Sequence, residues 1–124
     1  MAINSNPVQI LTKMKDNEEA IGATLVDNQD VPIPLTGLSI QFRLVNLDTE
    51  TVVLDDVSAT IVSASAGQVK YQPATNVFDT VGSFAAWFKI VGTPDRVLPY
   101  DGAKFQIRVV SEFDQAVELA GYGV

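Results

Sequence analysis

The chain has 124 residues, no cysteine, no histidine, and fifteen acidic against eight basic side chains, a formal net charge of -7. These counts exclude disulfides, thiolate nucleophiles, imidazole bases and nearly all transition-metal site types, so neither a Ser-His-Asp nor a Cys-His machine can be assembled. The length suits one domain, and an acidic chain with no cluster of Lys or Arg repels nucleic acid.

Residues 1–7 (MAINSNP) carry neither a basic n-region nor an apolar h-region, so no signal peptide and no membrane span is expected. Synthesis and folding in a cytoplasm follow, even for a chain that ends in a particle outside the cell. Residues 8–13 (VQILTK) predict a first strand, residues 16–19 a solvated turn, and residues 21–26 a second strand in which Ile21, Ala23 and Leu25 alternate. A helix competes for residues 10–21, but no apolar stripe of period 3.6 supports it. Residues 27–30 (DNQD) have turn composition, and Pro32 and Pro34 keep residues 31–35 out of a central ladder, as an edge or a connection.

In residues 38–45, Leu38, Ile40, Phe42 and Leu44 fall on one face and Ser39, Gln41 and Arg43 on the other, which predicts a half-buried strand. Residues 48–50 read as a polar turn, and residues 51–54 and 59–62 as two further short β-branched runs. Val69 and Tyr71 resume the alternation, and residues 73–80 form a loop with room for a single helical turn. The clearest strand is 82–91, where Phe84, Ala86, Phe88 and Ile90 share a face. After the connection 97–102 (VLPYDG), Phe105, Ile107 and Val109 alternate again.

Seven to nine short strands with turn signals every 8–12 residues predict an all-β fold, an Ig-like antiparallel β-sandwich. The domain is expected over residues 8–111, flanked by flexible arms at 1–7 and 112–124; residues 112–120 suit either a strand or a short helix.

Asp27 with Asp30, or Asp55 with Asp56, offers oxygen ligands of the kind calcium takes, but the EF-hand spacing is missing, so turn formation explains them better, with Asp55 and Asp56 marking a strand end. Asp48 with Glu50, or Asp79 with Asp101, matches a glycosidase carboxylate pair only if a cleft sets their separation, and no feature predicts one. No catalytic residue, cofactor or metal is therefore expected. Trp87 is out of phase with Phe84, Phe88 and Ile90 and faces away from them, either as a partner anchor or packed beneath a loop or tail. Tyr71, Tyr100 and Tyr122 are better explained as structural than as a stacking platform, which shows several aromatics in register. Trp87, Tyr100, Phe113 and Tyr122 make up the set of candidate interaction residues. Sheet edges only partly guarded by Pro32, Pro34 and scattered charge, with 47% hydrophobic residues, point to burial between subunits and a homo-oligomer.

A longer pattern orders these pieces: Asp27-x-x-Asp30-x-Pro32-x-Pro34-Leu35-Thr36-Gly37-Leu38-x-Ile40-x-Phe42, Gly67-x-Val69-x-Tyr71, Gly82-x-Phe84-x-Ala86-x-Phe88, Leu98-Pro99-x-Asp101-Gly102 and Ile107-x-Val109. It resembles the N-terminal domain of phage baseplate upper proteins over most of residues 20–110. The chain departs from that pattern at Gln29-Asp30, where the family has Asp-Gly, and at Trp87, where it has an acidic residue. The resemblance implies an Ig-like virion domain of tailed phages that contacts other virion proteins, as a tail or baseplate adaptor or as a capsid decoration protein. Larger members continue into coiled-coil or receptor-facing regions, so a chain of this length is not expected to bind the host receptor itself. The alternative is a surface-presented carbohydrate- or calcium-binding module, with Trp87 and the acidic turns as its support. The net charge favours a comparatively basic partner surface.

Overall fold

The computed structural model describes residues 2–4, 10–15, 19–92, 94–99 and 104–111. Among these residues nine strands form in chain order: β1 (Ala2–Asn4), β2 (Ile10–Met14), β3 (Ile21–Thr24), β4 (Ser39–Asn46), β5 (Thr51–Ser63), β6 (Gln68–Tyr71), β7 (Gly82–Val91), β8 (Arg96–Leu98) and β9 (Phe105–Val110). They make one curled sheet in the order β1-β3-β6-β5-β4-β7-β9-β2, with β8 beside β7. Among the described residues no helix is present, and residues 75–78 form a turn closed by the Val77 N–H on the Ala74 carbonyl at 3.2 Å.

The curl turns on β5. Its first part pairs with β4 between Thr51 and Ala59, and its last residues pair with β6 from Thr60 to Ser63, so one strand serves both layers. The two short runs expected at 51–54 and 59–62 are thus a single strand of 13 residues. Sequence alternation breaks inside it because of backbone bulges, and a break in alternation looks like a strand end.

Alternation decides the core. Ile40, Phe42 and Leu44 of β4, Phe84, Ala86, Phe88 and Ile90 of β7, and Phe105, Ile107 and Val109 of β9 are all buried, as their spacing predicts. The β4–β7 register sets Phe42 opposite Phe88, with ring centroids 5.0 Å apart. Phe88 meets Phe105 edge-on at 5.9 Å, while Tyr71 of the other layer stacks on Phe42 at 4.4 Å. These four rings tie the layers together, each fully buried Phe contributing about 1.5–3 kcal/mol by removal from water alone. Burial pushes the Tyr71 hydroxyl pKa above its usual value, against the opposing effect of its hydrogen bond to the Ala74 backbone.

Residues 31–35 lie along the end of the sandwich with Ile33 and Leu35 buried and Pro32 and Pro34 exposed. The Ile33 N–H donates to the Leu25 carbonyl and the Leu35 N–H to the Ala64 carbonyl, both at 2.9 Å. The prolines, which have no N–H to donate, occupy the outward positions. Gly67 sits beneath this segment at φ +67, where a Cβ would stand 2.7 Å from the Leu25 carbonyl oxygen. Only glycine fits both the conformation and the approach.

The β-sandwich is as expected, but the pairing is mixed. Six strand pairings are antiparallel, whereas β1 on β3 and β2 on β9 are parallel. The physical reason is that β1 and β2 follow one another directly yet flank opposite ends of the strand order, so neither is reached by a hairpin. Residues 5–9 separate them, a reach of about 20 Å at most, which holds the two ends of the curled sheet near each other. Within the expected N-terminal arm, Ala2–Asn4 form β1; residues 112–124 lie outside the described residues.

The edge strand β2 points Lys13 inward, only 6% exposed. Its ammonium donates to the Glu19 carbonyl at 2.8 Å and lies 5.3 Å from the centroid of the Phe78 ring. Burial lowers its pKa, partly opposed by the Glu19 carboxylate. A charge turned inward on an edge strand disfavours pairing with another edge.

Candidate functional site

The same alternation that buries Phe42 and Phe88 turns Arg43 and Trp87 to the opposite, outer face, directly across from each other on β4 and β7. Trp87 is half-buried there and lines a shallow groove of about 430 Å³ with Arg43, Val45, Asp56, Lys89 and Val97. Val97 comes from β8, a strand where the sequence predicts the connection 97–102. Three residues suffice to pair with Phe88, Lys89 and Ile90, and so short a run leaves almost no periodicity to read.

The groove's charges are set by a bulge. Phe42 opposes Val57 and Leu44 opposes Leu54, which leaves Asp55 and Asp56 together against Arg43. Asp56 absorbs the extra residue at φ +54, uncommon for a residue with a Cβ. Both carboxylates thereby serve the outer face: Asp55 Oδ1 is 3.6 Å from Arg43 Nη1, and Asp56 Oδ2 is 3.3 Å from Lys89 Nζ. Lys89 also faces Asp95 at 3.8 Å, and Asp95 in turn accepts the Gly92 N–H at 2.8 Å. Asp55 and Asp56 therefore stand inside β5 and do not mark its end. Beside Lys89, the Gln41 side-chain oxygen is buried with no hydrogen-bond partner among the described residues.

Next to the groove a register row crosses five strands, with exposed apolar residues at its two ends and the exposed Gln106, the buried Ala85 and the half-buried Val45 between them. The registers align Ile10 of β2, Gln106 of β9, Ala85 of β7, Val45 of β4 and Val52 of β5. Ile10 is 68% and Val52 50% exposed, and Val97 at the other side of Trp87 is 49% exposed. By contrast, the depression on the opposite layer, about 330 Å³, is lined by Gly22, Thr24, Val62, Gln68 and Lys70, with no aromatic side chain.

Of the four sequence-derived interaction candidates, Trp87 lies in this groove, while Tyr100, Phe113 and Tyr122 lie outside the described residues. Sequence reading missed Ile10, Val45, Val52 and Val97. The out-of-phase apolar residues were the available signal, but only strand registers reveal that they share a row. The acidic residues weighed for calcium have other occupations: Asp27 Oδ1 accepts the Gln29 and Val31 N–H groups at 2.8 and 3.0 Å, an Asx turn. Asp48, one carboxylate of the glycosidase-type pair with Glu50, is likewise engaged: its Oδ2 accepts the Ser83 N–H at 3.1 Å. Among the described residues no group of three or more His, Cys, Asp or Glu suits a metal ion.

The family model of the BppU N-terminal domain, that of phage baseplate upper proteins, matches residues 2–118. The chain belongs to this family. It is a phage structural domain of the baseplate, not an enzyme family, and membership implies a place in the virion among other virion proteins. Twelve chains of solved structure match as well. One is the N-terminal domain of ORF48 of phage TP901-1, 22% identical over 88% of this chain and 98% of that one, with a TM-score of 0.61. At that identity the likeness concerns the fold. Among curated proteins, none matches.

Proposed function

We propose that this chain is a tail or baseplate adaptor: a non-enzymatic subunit, made in the host cytoplasm, that joins virion proteins through surface contacts. The family match along residues 2–118 carries this reading, because it assigns nearly the whole chain to a baseplate domain. The outer face of the β4–β7 layer supports it, since an aromatic side chain flanked by exposed aliphatic residues is the composition of an interface core. Capsid decoration, the other assembly role, finds no separate support in these features.

The test is imaging of purified phage particles lacking this chain after incubation with the isolated protein, together with its solution mass by light scattering. Added density at the baseplate is expected. Density confined to capsid faces would make the protein a decoration subunit, and particles that bind none would remove the assembly role.

A further inference from the structure

The cations that surround Trp87 are already paired within the chain. Arg43 faces Asp55, and Lys89 faces both Asp56 and Asp95, so two cations meet three carboxylates within 3.8 Å. A partner that brought charged side chains to this spot would have to compete with those internal pairs. The exposed apolar side chains beside them are Ile10, Val52 and Val97, with the half-buried Val45 and Trp87 between. A face with its cations paired within the chain and apolar side chains exposed complements an uncharged apolar surface. A second copy is the less favourable occupant, because each copy carries a net charge of -7.

Resting on the adaptor reading, we propose that this face docks an uncharged, aliphatic and aromatic surface of a different virion subunit, with Trp87 as the anchor. Apolar burial then holds the complex, and the surrounding ion pairs exclude water and confer little of the affinity. The expectation of a basic partner, drawn from net charge, then applies only to the approach of the two proteins. Distant charges steer encounter and are screened by salt, whereas the docked contact is not.

The experiment uses particles lacking this chain as the probe and measures retention of the purified protein in 50 mM and 1 M NaCl. Four proteins are compared: the natural chain, Trp87→Ala, the exposed-row variant Ile10→Asp/Val52→Asp, and Lys70→Glu on the opposite layer. Circular dichroism and thermal melting confirm that each is folded. The expected result is retention of the natural chain and Lys70→Glu at both salts, changed less than about threefold, with a loss of about tenfold or more for both outer-face variants. If Trp87→Ala proves unfolded, Ile10→Asp/Val52→Asp decides, since both of its positions are largely exposed. Retention at 50 mM that vanishes at 1 M would overturn an apolar contact while leaving the adaptor reading intact. Retention by both outer-face variants would overturn the choice of face. A dimer of the natural chain that Ile10→Asp/Val52→Asp abolishes would make the occupant a second copy and overturn the partner named here. No retention of the natural chain at either salt would overturn the adaptor reading itself.

Discussion

On β4 and β7, residues that are neighbours in sequence obey different rules according to the face they reach. Inward, Phe42 and Phe88 belong to a close-packed aromatic cluster that includes Tyr71 and Phe105. Outward, Arg43 and Trp87 stand in a shallow groove whose walls are half aliphatic and half ion-paired. The inner face is specified by volume, since a missing ring leaves a void that the surrounding layers fill only partly. The outer face is specified by composition and tolerates exchange as far as the fold is concerned. On the docking role proposed for Trp87, stability and assembly fall on opposite sides of the same two strands.

That separation can be broken by mutation. Phe88→Ala is expected to cost about 3–5 kcal/mol in urea denaturation. A loss below about 1 kcal/mol would mean that the aromatic cluster does not hold the layers. Gly67→Ala tests a backbone requirement on the inner side and is expected to cost about 2–4 kcal/mol, from a left-handed φ and a Cβ against the Leu25 carbonyl. An unchanged midpoint would show that residues 31–35 can move away.

The outer face should respond less. Asp56→Val places a β-branched residue at φ +54 and removes the ion pair with Lys89, for an expected loss of about 1–2 kcal/mol. Trp87→Ala is expected to lower stability by about 1 kcal/mol while removing attachment to particles. A loss near 3 kcal/mol would instead assign Trp87 to the core.

The smallest effect concerns Lys13, whose lowered pKa reflects burial of its charge. Near and below pH 10.5 the unfolded chain holds this proton more firmly than the native protein, so the Lys13 contribution to stability rises with pH. Lys13→Met is expected to equal or exceed the natural chain at pH 7 by up to about 1 kcal/mol, the gap narrowing as pH approaches 10.5. Tyr71 is present in both proteins and cancels in the difference. A gap that widened with pH would mean that the ammonium is stabilised by Glu19 and Phe78 more than burial penalises it.

Much of the sandwich was legible because its core strands alternate cleanly. Leu38 to Leu44, Phe84 to Ile90 and Phe105 to Val109 each announce a buried face by period alone. The misreadings share a cause, since β1 and β8 are three residues long and β5 carries bulges that interrupt its period. The candidate site was legible only at Trp87, as an aromatic residue out of phase with its strand. Ile10 and Val52 are 42 positions apart in sequence, and nothing local connects them.

The sequence by itself determined the all-β class, the inward residues of β4, β7 and β9, and the exclusion of cysteine and histidine chemistry. These follow from alternation and composition, which are local properties. Tertiary structure decided that β5 serves both layers, that β1 and β2 pair in parallel at opposite ends of the sheet, and that Ile10, Val45 and Val52 align beside Trp87. Those are facts of register and closure, set by hydrogen bonds between strands distant in the chain, and a residue's own neighbours carry no record of them.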